Sequence, residues 1–223
     1  MAETDEEQID AIKIWWSKNG NSLIIGVVVA LAGVFGYRAW ENSVIEAAEA
    51  ASSLYESMAS AVVGQQISEL PNEILASTRA LGNQLKIDFE DSAYAHFGAL
   101  QMARIAVETG DLELAETELR WTLDNDVSES LEPIVRMRLA QVVAAQGRLE
   151  QALLLLPADQ EVNKHASSWY EVRGDIYYQL KNIDAAREAY QTAVDAVPES
   201  ISRPIPQAKL DDITYVVGVQ DEG

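Results

Sequence analysis

Residues 178–193 read YQLKNIDAAREAYQTA, and closely similar patterns occur twice more, at 106–121 (AVETGDLELAETELRW) and 144–157 (AAQGRLEQALLLLP). Each copy contains the end of one helix, then a glycine or a Lys-Asn turn. An apolar residue and an alanine follow, where the packed face of a second helix begins. The chain is therefore predicted to contain repeated pairs of helices.

The spacing of the equivalent alanines sets the length of the repeat. Ala115, Ala152 and Ala186 are 37 and 34 residues apart, and 34 residues is the period of tetratricopeptide helix-turn-helix repeats. The predicted copies cover 96–129, 133–166 and 167–200. We expect Gly174 and Ala186 where two helices cross closely, and Pro157 to shorten the second helix of its copy. The predicted fold is all-α, with a tetratricopeptide-like repeat domain.

Acidic residues dominate the composition. The chain has 36 acidic and 16 basic residues, and residues 41–223 hold 31 and 13 of them, a net charge of −18. Such a surface repels phosphate backbones and anionic headgroups, so nucleic acid is not an expected ligand. The absence of cysteine excludes disulfides, thiol catalysis and thiolate metal sites.

An uncharged run from Asn19 to Tyr37 predicts a membrane anchor. Lys18 and Arg38 bracket it, and its length is close to the ~20 residues that cross a bilayer core. Aromatic residues of the kind found at membrane interfaces flank it, namely Trp15, Trp16, Tyr37 and Trp40. We therefore predict a single transmembrane helix over 19–40 that contacts the lipid bilayer.

Basic residues near the span predict its orientation. Lys13 and Lys18 precede it, whereas Arg38 is the only basic residue directly after it. The positive-inside rule then places residues 1–18 in the cytoplasm and the rest of the chain on the periplasmic side of a bacterial inner membrane. The alternative is a cleaved signal peptide ending near Ala30-Leu31-Ala32, but apolar sequence continues beyond that point.

The exported part divides into a repeat domain and a tail. The domain is assigned to 41–200, in which residues 41–92 supply further helices before the first copy. The remainder, 201–223, is predicted to be a C-terminal tail, with a short helix over Gln207–Ile213.

No constellation of catalytic or ligand-binding residues is recognisable. His96 and His165 have no spaced carboxylate or cysteine partners, and a metal site or a nucleophile needs several such groups. Phosphate-binding glycine loops and hydrolase motifs are also missing from the sequence. We expect no enzyme activity, no cofactor, no metal and no small-molecule substrate.

A binding groove is the function that helical repeats of this kind offer, because the first helix of each pair lines one shared surface. Projecting the repeat register onto these helices predicts an apolar strip with an acidic end, suited to a partner segment with basic residues. An alternative is that helices within 41–92 cover the strip. The predicted lining residues are Phe97, Leu100, Arg104, Ile134, Met137, Gln141, Glu171, Asp175 and Tyr178.

Three stretches carry a resemblance to the bacterial YfgM family. They are IKIWW (12–16), DFEDSAYAHFGALQMARIAVETGDLELAETELRW (88–121) and KLDDI (209–213). The resemblance implies an inner-membrane protein with a periplasmic tetratricopeptide-like domain that is ancillary to the Sec translocon. It also implies a complex with a membrane-anchored periplasmic chaperone of the prolyl-isomerase type, which would receive emerging secretory proteins.

Two other functions stay open on the residues alone. One is a membrane-tethered scaffold for an envelope assembly process unrelated to Sec, such as cytochrome maturation. The other is a tether that restrains a cytoplasmic stress-response regulator through residues 1–18.

Overall fold

The described part of the chain is built of α-helices and contains no β-strand. The computed structural model describes residues 2–157, 163–197 and 204–221, with side chains for 8–157, 164–197 and 204–213. The helices are α1 (Ala2–Ser60), α2 (Asn72–Asp88), α3 (Ala93–Glu108), α4 (Leu112–Asp124), α5 (Glu132–Ala145), α6 (Leu149–Leu154), α7 (Ala166–Gln179), α8 (Ile183–Asp195) and α9 (Pro204–Asp221). The predicted all-α class is confirmed.

The chain divides into two compact units, Met1–Ala50 and Ala51–Gly223. The first unit consists of α1 sequence only, and its large apolar side chains between residues 23 and 37 are all exposed, with Val29 and Phe35 each 65% exposed. Among the described residues, α1 alone is long and apolar enough to cross a membrane. It therefore contains a candidate transmembrane segment where the sequence predicts one.

The second unit contains three consecutive helix pairs, α3 with α4, α5 with α6, and α7 with α8. Ala115, Ala152 and Ala186 are fully buried at equivalent places in the second helix of each pair. The helix α6 has only six residues and ends before Pro157. The predicted repeat register is confirmed, because the three equivalent alanines are all buried, each in the second helix of a pair.

The turn inside each helix pair has one conformation. Gly110, Gly147 and Lys181 all have positive φ angles, of 80°, 81° and 63°. Next to the first and third of these residues, Asp111 and Asn182 cap the following helix, since their side chains accept hydrogen bonds from the backbone N–H groups three residues on. The left-handed conformation favours glycine at this position, and only the third copy has a side chain there.

Changing Gly110 to lysine, as in the third turn, is expected to lower the free energy of unfolding by about 1 kcal/mol, because a side chain in the left-handed region is strained. The reverse change, Lys181→Gly, is expected to be neutral or stabilising. Urea denaturation followed by circular dichroism measures both. If Lys181→Gly lowered the free energy of unfolding as much as Gly110→Lys, this explanation of the turn would be contradicted.

Residues before the first copy pack against it. Met58, at the end of α1, and Leu85 of α2 are fully buried and share a cluster with Ala95 and Met102 of α3. The segment 51–88 thus packs against the first copy, where helices within 41–92 were predicted.

The C-terminal segment differs from the predicted tail. Helix α9 is longer than the predicted Gln207–Ile213 and packs on α8. Ile213 is only 2% exposed, and it joins Leu210, Ala186 and Tyr190 in one cluster. Because Leu210 and Ile213 lie three residues apart on one helical face, their burial makes α9 part of the domain. The predicted boundary between residues 200 and 201 lies outside the described residues.

Candidate functional site

A cavity of about 690 Å³ lies between the first helices of the first two repeats. We call it the α3–α5 groove. Its lining includes Tyr55, Phe97, Leu100, Gln101, Arg104, Val107, Glu108, Leu131, Ile134, Arg138, Gln141 and Ala145. Its volume falls within the ~300–1,000 Å³ typical of ligand pockets in proteins.

Helical spacing brings these side chains to one surface. On α3, residues 97, 101, 104 and 108 follow one another at intervals of four, three and four, and on α5 residues 134, 138, 141 and 145 do the same. Side chains at this spacing lie on one face of a helix. Because α3 and α5 are the first helices of adjacent pairs, the two faces border a common groove.

Aromatic and aliphatic side chains form one wall of the groove. The Phe97 ring centroid lies 6.0 Å from that of Tyr55 and 6.5 Å from that of Tyr94. Tyr55, in the last part of α1, therefore borders the groove, but Phe97 is still 40% exposed. Residues before the first repeat thus leave this end of the apolar strip accessible.

The polar groups on the rim have few partners within the protein. The Arg104 Nε donates a hydrogen bond to Glu108 Oε1 at 2.8 Å, and both side chains are exposed. Arg138 forms no hydrogen bond or ion pair with any residue that the structure describes, and it is exposed beside Gln141. The groove thus combines an apolar wall with accessible guanidinium and amide donors.

Five of the nine predicted residues line this groove, namely Phe97, Leu100, Arg104, Ile134 and Gln141. Met137 does not line the groove; it is buried in the main core cluster, which Leu100 also joins while still bordering the groove. The residue that lines the groove in its place is Arg138, four positions after Ile134 rather than three. Spacing of four and three along both helices would have identified Arg138 and Gln101 from the sequence.

The predicted acidic end is not part of the α3–α5 groove. Glu171 and Asp175 on α7 instead bind Lys209 of α9, whose Nζ lies 2.9 Å from Glu171 Oε1 and 2.7 Å from Asp175 Oδ1. Tyr190 also donates a hydrogen bond to Asp175 Oδ1 at 2.9 Å. Tyr178 is exposed on α7 with the Lys181 ammonium 5.7 Å from its ring centroid. The carboxylates are therefore already matched by a cation of the same chain.

The charge state of Lys209 reflects this arrangement. Burial by itself lowers the pKa of the ammonium group, but the hydrogen bonds and negative charges of Asp175 and Glu171 outweigh burial and raise the pKa above its usual value of 10.5. Lys209 is thus fully charged at neutral pH and neutralises part of the acidic surface.

The two histidines have separate surroundings. His96 is buried, and its Nε2 lies 2.5 Å from the backbone oxygen of Asn125. His165 has a buried Nε2 without a hydrogen-bond partner among the described residues. No group of three histidine, aspartate or glutamate side chains suited to a metal ion occurs within the described residues.

Comparison with known proteins extends the likeness beyond the repeats. Residues 13–215 match the family model described as a tetratricopeptide repeat-like domain. The chain is 30% identical over 189 residues to the "Ancillary SecYEG translocon subunit" of Haemophilus influenzae, a match that covers 85% of this chain and 88% of that protein. The protein of the same name from Aggregatibacter actinomycetemcomitans is 28% identical, and the match covers 94% of this chain and 97% of that protein. The one from Escherichia coli is 24% identical, and the match covers 95% of this chain and 98% of that protein.

Proposed function

The chain belongs to the YfgM family of tetratricopeptide-like proteins, and from this premise we propose that it is a non-enzymatic, membrane-anchored ancillary component of the SecYEG translocon. In this proposal the α3–α5 groove holds a segment of a protein partner. The observation that carries the proposal is an accessible apolar groove, in a chain that aligns over most of its length with relatives named as translocon subunits. That naming favours the Sec translocon over an unrelated assembly scaffold or a regulatory tether.

We further propose a location for each segment of the chain and a chaperone as a second partner. Residues 19–40 anchor the chain in the inner membrane, residues 1–18 are cytoplasmic, and the repeat domain is periplasmic. There the domain couples emerging secretory proteins to a membrane-anchored chaperone of the prolyl-isomerase type. The large exposed apolar surface of α1 between residues 23 and 37 supports the anchor.

The orientation has a direct test. Protease added to the outer face of inner-membrane spheroplasts is expected to digest the repeat domain, while an epitope tag at residue 2 survives, because Lys13 and Lys18 hold the N-terminus in the cytoplasm. Immunoblotting against the tag and against the domain measures which of the two survives digestion. A protected domain with a digested tag would reverse the topology.

Partner binding is tested by a charge in the groove. Phe97→Glu is expected to lower the amount of SecYEG that co-purifies with the chain from mild detergent by about tenfold or more, because buried aromatic anchors dominate protein interfaces. The matched control is Ile87→Glu on α2, since Ile87 is 79% exposed and lies outside the groove. Both variants are expected to keep their helical circular dichroism spectrum. Equal SecYEG recovery with Phe97→Glu and wild type would refute docking through the groove.

A further inference from the structure

The polar side chains of the α3–α5 groove that lack a partner among the described residues are basic or amide groups, not carboxylates. Arg138, Gln101 and Gln141 line it, and the described part of the structure gives none of their side chains a hydrogen-bond or ion-pair partner. The domain carries a net charge of −18 over residues 41–223. Among the described residues, Arg138 is thus a guanidinium without a carboxylate partner, although the domain has an excess of carboxylates.

The second guanidinium of the groove is only weakly engaged. Arg104 pairs with Glu108 four residues later on the same helix, and the two side chains are 55% and 38% exposed. Exposed pairs of this kind contribute little, because water solvates both charges. A carboxylate brought by a ligand can form charge-assisted hydrogen bonds with either guanidinium.

The two acidic residues that were predicted to attract a basic ligand are occupied. Lys209 forms ion pairs with both Glu171 and Asp175, on α7 and not in the groove. The sequence alone favoured a basic partner segment. Because Lys209 pairs with the predicted acidic residues and Arg138 in the groove has no partner within the described part of the chain, the structure favours an acidic partner segment instead.

We propose that the α3–α5 groove selects a partner segment in which apolar side chains lie next to one or two acidic residues. The apolar side chains pack on Phe97 and Ile134, and the carboxylates bind Arg138 and Arg104. This inference rests on the proposed function of the groove and adds to it the chemical class of the partner segment.

Peptides of matched composition test the selection. Three fluorescent peptides of about 12 residues share one pattern of leucine and phenylalanine, and carry at two fixed positions either glutamate, glutamine or lysine. Binding to the full-length chain in lipid nanodiscs is measured by fluorescence anisotropy at low and at physiological salt. The glutamate peptide is expected to bind about tenfold tighter than the lysine peptide, although the overall charge of the domain favours lysine.

Charge reversal identifies the group responsible. Arg138→Glu is expected to remove the preference for glutamate, whereas Arg187→Glu on α8, which makes the same change of charge outside the groove, leaves it intact. Both positions are accessible to solvent, so both variants are expected to fold.

Each other outcome overturns a definite part of the account. If the three peptides bind equally and Phe97→Glu weakens all of them, the groove is a docking site without charge selection, and only the present inference fails. Preferential binding of the lysine peptide that Arg138→Glu leaves unchanged also overturns it. Peptide binding that Phe97→Glu does not affect, or no binding at all, contradicts both this inference and the docking role of the groove.

Discussion

Replacing Lys86 by methionine is expected to lower the free energy of unfolding by about 3–5 kcal/mol at neutral pH, since it leaves a buried carboxylate without its partner. Lys86 Nζ on α2 donates hydrogen bonds to both carboxylate oxygens of Glu118 on α4, at 2.9 and 2.7 Å. The two side chains are only 15% and 4% exposed. The ammonium also lies 5.4 Å from the ring centroid of Trp121. Guanidinium denaturation at pH 7 measures the loss.

The loss of stability that Lys86→Met causes depends on pH in a defined direction. Burial is the largest influence on Glu118 and raises the pKa of its carboxyl above 4.5, even though Lys86 lowers that pKa. Without Lys86 the pKa rises further. A carboxyl whose pKa is higher in the folded than in the unfolded protein stabilises the fold below the unfolded value, and this contribution is lost as pH rises through the folded pKa. Because the unfolded state is the same for both proteins, the loss of stability relative to wild type is expected to widen as pH rises from the folded pKa of Glu118 in wild type, which lies above 4.5, towards its higher pKa in the variant.

A double variant separates the lost charge from lost packing. Lys86→Met combined with Glu118→Leu is expected to recover most of the stability, because an apolar pair can replace a buried ion pair at little cost. Arg187→Met is the control, since it breaks an exposed pair with Asp184 and is expected to change stability by less than about 1 kcal/mol. Equal losses for Lys86→Met and Arg187→Met would show that the buried pair is not a structural link between α2 and α4.

The second large effect is expected at Gly174. Alanine in place of a helical glycine ordinarily stabilises by about 1 kcal/mol. At Gly174, however, a Cβ atom would lie 2.4 Å from two carbon atoms of the Tyr190 ring. We expect Gly174→Ala to lower the free energy of unfolding by about 1–3 kcal/mol, because the ring is rigid and is held by its hydrogen bond to Asp175. Thermal denaturation followed by circular dichroism measures the sign and the size of the change.

Gly82 supplies the comparison for this prediction. A Cβ atom there would lie 2.5 Å from Sδ of Met102, but a thioether side chain can rotate away more readily than an aromatic ring. Gly82→Ala is therefore expected to destabilise the domain less than Gly174→Ala. A stabilising Gly174→Ala would show that α7 and α8 do not cross as closely as described.

The repeat fold could be predicted because its signals are local. Ala115, Ala152 and Ala186 occur at the repeat spacing, and glycine marks two of the three turns, so the register follows from positions in the chain. Helix α9 was harder to place. Leu210 and Ile213 look like isolated apolar residues in an acidic segment, and only the contact with Ala186 and Tyr190 shows that they are buried.

The groove was predicted in part for a similar reason. Phe97 and Ile134 were found because the register places them on the first helices, whereas Met137 was assigned to the surface and Arg138 was missed by one helical position. The acidic end was misplaced because its partner, Lys209, lies 34 residues beyond Asp175. A net charge read from the sequence does not reveal which carboxylates are already paired.

Site-specific crosslinking in intact inner membranes tests most directly the claim that the α3–α5 groove is a docking surface at the translocon. A photoreactive phenylalanine analogue replaces Phe97 in one variant and the exposed Ile87, outside the groove, in another. The account predicts a crosslink from position 97, identified by mass spectrometry as a SecYEG subunit or a protein bound to it, and none from position 87. A translocon crosslink from position 87 with none from position 97 would contradict it.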